Sequence, residues 1–192
     1  MTRSPIAIFA SGAGSNARRL MEEEAGHAYR TALVVCSKKT AGVIDHAKAF
    51  DVPIRHIDRS DIDDPSALID ELKQHGVEWI VLAGFLWLLP ADLLAAFPDR
   101  ILNIHPALLP LYGGKGMYGM HVHRAVVADG RPETGITIHR VNERYDDGEI
   151  VFQARTRIDP HDTPEDVARA VQALEHRHFP AVVDALVRGG AE

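Results

Sequence analysis

The chain is 192 residues long, a quarter of them charged, with a formal net charge of −6. That balance lacks the basic patch or stripe of a nucleic-acid surface. No apolar run approaches the roughly 20 residues of a membrane span, and the opening MTRSPIAIFA has too short an apolar stretch for a signal peptide. The expectation is a single cytoplasmic domain over residues 1–192, working on small molecules, with no nucleic-acid or membrane partner. A core of this size needs neither metal nor disulfide, and Cys36 is the only cysteine.

Ile6 to Ala10 is a continuous apolar run, the pattern of a strand buried on both faces. SGAGSN follows, then a helical pattern from about Ala17 to Glu24. Strand, glycine-rich turn and helix start together make either an anion cradle or a plain tight turn with a good cap; Ser15 and Asn16 stand where N-caps are favoured. The third glycine of a dinucleotide fingerprint is replaced by Ala17 and no Gly-Lys-Ser/Thr follows, so the cradle would suit a monophosphate. Strands at Leu33–Cys36 and near Val52–Ile57 flank a helix over Ala41–Phe50, with Pro53 suiting a sheet edge. Asp63 or Asp64 caps a helix running to His75, and Trp79–Ala83 is again fully apolar. GFLWLLP then offers an apolar wall, followed by a short helix over Ala91–Phe97.

In DRILNIHPALLP, Asn103 and His105 lie two apart and share one face of a strand that Pro106 and Pro110 bring to an end. Strand carboxyl ends are where open parallel sheets bind ligands. There an imidazole can move a proton near neutral pH and a carboxamide can donate to a developing oxyanion, or both can simply cap loop backbone. The glycine-rich LYGGKGMYGM reads as an active-site flap or a disordered surface loop. A helix starts near His121. His121 and His123 lack the spacing of a metal site and read as surface or capping residues. GITIHRV and EIVFQAR alternate apolar and polar residues across NERYDDG, a hairpin-like addition. Thr163, Pro164 and Asp166 open a last helix to about Arg188, kinked at Pro180. The fold class is α/β: a Rossmann-like, mostly parallel sheet flanked by helices, with a C-terminal antiparallel addition and a long final helix.

The pieces SGAGSN, VLAGFLWLLP, LNIHPALLP, ETGITIHRV, YDDGEIVFQ and VQALEH, in this order and spacing, resemble the phosphoribosylglycinamide formyltransferases, folate-dependent enzymes of purine biosynthesis. The resemblance implies that a ribonucleotide places its phosphate on Gly14, Ser15 and Asn16 and its ribose near Gln172 and Glu175. It places the co-substrate 10-formyltetrahydrofolate against Leu86, Trp87, Leu88 and Leu89 and along His139, Arg140, Val141 and the loop from Asn142 to Asp146. Asn103, His105 and Asp146 match the family's catalytic trio, Asp146 being preferred to Asp147 because the family pattern is Asp-x-Gly. Asn103 and a protonated His105 would stabilise the oxyanion, with Asp146 sustaining that protonation. No metal is implied, and a monomer or homodimer is expected. Trp87 stands where an arginine is often found, GGKGMYGM is longer than in familiar members, and Glu149 replaces a common proline. Methionyl-tRNA formyltransferase, 10-formyltetrahydrofolate hydrolase and a noncatalytic nucleotide-binding module are the rivals.

Overall fold

A computed structural model describes residues 3–189. Five parallel strands, β1 (Ser4–Ala10), β2 (Tyr29–Cys36), β3 (Ile54–His56), β4 (Trp79–Leu82) and β5 (Ile101–His105), are extended by antiparallel β6 (Glu133–Arg140) and β7 (Ile150–Arg157). The sheet order is β3-β2-β1-β4-β5-β6-β7. The chain therefore builds outward from β1, returns across it, and leaves a crevice at the carboxyl ends of β1 and β4, the place where such sheets bind ligands. The α/β architecture expected from the periodicities is the one observed, including the antiparallel addition.

Alternation in β1 divides the core. Ile6, Ile8 and Ala10 pack beneath α1 (Ser15–Glu23), α2 (Val43–Ala49) and α7 (Pro164–Gly189). Ala7 and Phe9 face the opposite layer with Leu68 and Leu72 of α4 (Ser66–Gln74) and Leu93 of α5 (Ala91–Ala96). A short α3 (Arg59–Asp63) precedes α4, and α6 (Met120–Ala128) precedes β6.

Some local expectations hold and others are corrected. Asp64 does serve the start of α4, its Oδ1 accepting from the Ser66 N–H at 3.2 Å, although Pro65 occupies the cap position, and α3 has a capping box of its own from Asp58 and Asp61. Gly14 rather than Ser15 or Asn16 is the N-cap residue of α1, with φ 79° and no side-chain cap bond. Only glycine suits this position: a Cβ there would lie 2.6 Å from Val43 Cβ. At the last helix Thr163 and Asp166 do form the reciprocal cap that their spacing predicts. α7 continues through Pro180. Proline removes the N–H that would bond the His176 carbonyl, and Arg19 Nε of α1 donates to that oxygen at 3.3 Å instead.

Candidate active site

Three strand ends and one hairpin connection build the site. β1 delivers the Gly12–Asn16 turn, β4 delivers Gly84–Leu89, and β5 delivers Asn103 and His105. The antiparallel register sets Asn103 opposite His139 on β6. A β-bulge falls at His139, where β7 carries Val151 as an extra residue, and bulges beside sites re-aim side chains in this way. The connection after β6 then folds back. Asp146 takes φ 53°, a left-handed conformation that aspartate tolerates, and Gly148 approaches the Arg140 carbonyl so closely that a Cβ would lie 1.7 Å from it. This turn returns the Asp146 carboxyl to the sheet, while Asp147 points outward to Arg144 at 3.1 Å.

Asp146 Oδ2 lies 3.5 Å from His105 Nδ1 and accepts from the Gly114 N–H at 2.9 Å. Its Oδ1 accepts from Asn103 Nδ2 at 3.3 Å and lies 3.6 Å from His139 Nε2. Asn103 Nδ2 is also 3.0 Å from His139 Nε2, whose ring donates through Nδ1 to the Arg140 carbonyl at 2.8 Å. His105 Nε2 sits 2.8 Å from the Tyr112 carbonyl, an acceptor only, so this nitrogen carries the hydrogen and Nδ1 is left facing Asp146.

Burial pushes the His105 pKa below its ordinary value, against the opposing pull of Asp146 and the Tyr112 carbonyl. Burial thus works against the protonation of His105 that Asp146 is expected to sustain. Burial alone would raise the Asp146 carboxyl; hydrogen bonding and charge from His139, His105 and Gly114 together outweigh it and hold the carboxyl below its usual range. A carboxylate facing the Nδ1 of an imidazole is the arrangement of a proton relay.

Two cavities meet at this network. The larger, about 870 Å³, includes His105, Asn16, Gln172 and Glu175 in its lining. A narrow cleft of about 50 Å³ is lined by His139, Val141, Trp87, Leu88 and Leu89. Phe85, Asn103, Tyr145 and Asp146 line both. The larger falls in the range of small-molecule sites, roughly 300–1,000 Å³.

The remaining sequence-predicted residues divide. Glu175 lines the large cavity, where burial pushes its pKa up to about 7 while an Asn16 Nδ2 hydrogen bond at 3.0 Å opposes the rise. Gln172 Nε2 donates to Ser15 Oγ at 3.2 Å. Asn16 Oδ1 is buried without a partner. Gly14 and Ser15 stand behind Asn16 rather than in the lining, and the first-turn N–H groups of α1 have no intrahelical acceptor. Leu86 lines the large cavity. Arg140 and Asn142 line neither: the Arg140 side chain turns to Glu149 and the Asp99 carbonyl, and Asn142 Oδ1 accepts from the Arg144 N–H.

Other residues of the site went unrecognised. His123 is buried and lines the large cavity with its Nδ1 unpartnered, because α6 turns Val122, His123 and Val126 inward and leaves His121 outside. Lys115 is the only lysine or arginine lining that cavity among the described residues. His139 was assigned to folate contact alone; pairing the strands would have placed it beside Asn103. Among the described residues no group of three or more His, Cys, Asp or Glu is arranged to hold a metal ion, and no helix is long and apolar enough to cross a membrane.

The family model described as formyl transferase matches residues 4–183. The phosphoribosylglycinamide formyltransferase of Bacillus subtilis is 38% identical over 190 residues, covering 95% of this chain and 94% of that protein. The chloroplastic phosphoribosylglycinamide formyltransferase of Arabidopsis thaliana is 43% identical over 191 residues; the match covers 96% of this chain but only 65% of the plant protein's length. Among solved structures, the phosphoribosylglycinamide formyltransferase of Bacillus halodurans superposes with a TM-score of 0.87 at 32% identity, covering 97% of both chains.

Proposed function

Because the chain belongs to the formyl transferase family, we propose that it moves a formyl group from 10-formyltetrahydrofolate to the amine of glycinamide ribonucleotide, a step of purine biosynthesis, with residues 1–192 acting as one cytoplasmic formyltransferase domain. One observation carries the reading: His105 lines the large cavity, His139 the narrow cleft, and Asn103 and Asp146 line both. A transferred group must pass between two reactants, and the groups suited to that passage stand where the two spaces join.

The ribonucleotide takes the large cavity. The N-terminal turn of α1 offers backbone N–H groups to its phosphate. Glu175 accepts from ribose hydroxyls, and the unpartnered Asn16 Oδ1 offers a further acceptor. The apolar cleft residues Trp87, Leu88, Leu89 and Val141 fit one flat face of a folate. When bound, the folate supplies the formyl carbon in activated form. As the amine attacks, Asn103 exchanges its longer hydrogen bond, the one to Asp146, for the formyl oxygen on which negative charge develops. His105 takes up the amine's proton at Nδ1, where Asp146 stabilises the imidazolium, and that cation faces the developing charge. Asp146 then moves the proton on through water to the folate nitrogen, whose bond to the formyl carbon breaks as the oxyanion collapses, and tetrahydrofolate leaves.

The test is folate deformylation by the purified protein with and without glycinamide ribonucleotide. Deformylation that needs the ribonucleotide supports the reading. Consumption without it indicates a hydrolase, and none in either case a binding module.

A further inference from the structure

The site is held from outside by a segment to which the proposed chemistry assigns no part. The Tyr112 carbonyl fixes the His105 Nε2 hydrogen at 2.8 Å, and two residues on the Gly114 N–H holds Asp146 Oδ2 at 2.9 Å. Two residues of one short segment, Tyr112 and Gly114, thus hold both members of the His105–Asp146 pair. The segment is packed tightly: a Cβ on Gly113 would lie 2.6 Å from Leu109 Cδ2 and 3.2 Å from Asp146 Cβ.

Tyr112 itself adopts φ 56°, a left-handed conformation unfavourable for a bulky aromatic residue, so its surroundings must impose it. Its hydroxyl donates to Asp129 Oδ2 at 2.6 Å and accepts from Arg131 Nε at 2.9 Å, with the Arg131 guanidinium 5.8 Å from the ring centre. Asp129 and Arg131 are fixed in turn, their N–H groups bonding the Ala125 and Val126 carbonyls at the end of α6. Isolated exposed ion pairs contribute little, but a hydroxyl held from both sides sets the direction of the peptide behind it.

We propose that Tyr112, clamped by Asp129 and Arg131, is a positioning residue: it aims its own carbonyl and the Gly114 N–H so that His105 keeps its hydrogen on Nε2 and presents Nδ1 to Asp146. The inference rests on the proposed formyl transfer for its kinetic consequence, but not for its spectroscopic one.

Tyr112→Phe removes only the hydroxyl. Its expected effect is a roughly tenfold fall in kcat, the scale of one misplaced hydrogen bond, with KM for both reactants changed by less than about twofold. Asp129→Ala should reproduce the loss, and the double variant should be no worse than either single one, because the two groups act as a unit. Asp129→Asn, which keeps an acceptor, should retain most activity. Imidazole nitrogen NMR of the resting protein should report His105 as the Nε2–H tautomer in the wild type and a mixture of tautomers in Tyr112→Phe. Unchanged kcat and unchanged imidazole signals in a folded Tyr112→Phe protein would overturn the inference, as would an effect confined to KM or to melting temperature. Should the wild type transfer no formyl group, the functional reading fails, and the NMR comparison still decides this inference.

Discussion

Asp146 Oδ2 lies 3.5 Å from His105 Nδ1, although 41 positions separate the two in the chain. Neither residue stands alone in its cavity: one carboxylate oxygen serves His105, the other Asn103 and His139. The pairing sets a carboxylate against an imidazole whose second proton burial opposes and that carboxylate favours.

Asn103→Ala and His105→Ala should each lose roughly a hundredfold or more in kcat, the usual consequence of removing one group that stabilises a developing oxyanion. The fold should survive, because both side chains end at a cavity wall. Steady-state kinetics alongside circular dichroism checks both halves.

Glu175→Gln separates stability from binding. With its pKa raised from 4.5 to about 7, the folded protein holds a proton that the unfolded chain releases between these values. Stability therefore falls as pH rises through that window and stays low above it. The glutamine variant escapes this loss and should be more stable at pH 8, by up to about 3 kcal/mol, in urea unfolding. It should bind ribonucleotide less well, since an amide accepts only through its oxygen. The wild-type KM for ribonucleotide should fall as pH rises through about 7, and the variant should lose that part of the dependence.

Lys115→Ala should raise the KM for ribonucleotide by roughly tenfold with little change in kcat, and Lys115→Arg should restore it. The cavity's other formally charged lining residues are Asp146 and Glu175, so a phosphate dianion meets one cation there. Titration with salt checks the electrostatic origin: the wild type should lose affinity with ionic strength and the alanine variant should not.

Gly14→Ala should destabilise the protein, because φ 79° and a 2.6 Å approach to Val43 both oppose a methyl group. Thermal unfolding of the variant with and without inorganic phosphate checks whether the anion-binding turn is lost with it.

Much of this was legible in the sequence because it is local. Period-two alternation placed Asn103 and His105 on one strand face, the glycine-rich turn stood between a strand and a helix, and Thr163 announced its own helix. What failed was nonlocal. Ser15 and Asn16 carry good capping side chains, yet the tight approach of α2 gives the cap to Gly14. His123 was indistinguishable from its neighbour His121 until α6 was docked on Ala107 and α7. Tyr112 gave no signal, since the groups of its segment that meet His105 and Asp146 are backbone atoms that every residue possesses. Asp146 was preferred to Asp147 only through the family's Asp-x-Gly pattern; in space the two diverge, one into the network and the other to exposed Arg144.

Asp146→Asn tests the central claim most directly, because it preserves shape and a Gly114 partner while removing the charge that faces His105. At saturating reactants, kcat should fall roughly a hundredfold or more. Asp146 raises the His105 pKa, so whatever acid limb remains in the pH profile of kcat should move to lower pH. A variant that transfers formyl groups within about threefold of the wild-type rate, with its acid limb unmoved, would contradict the account.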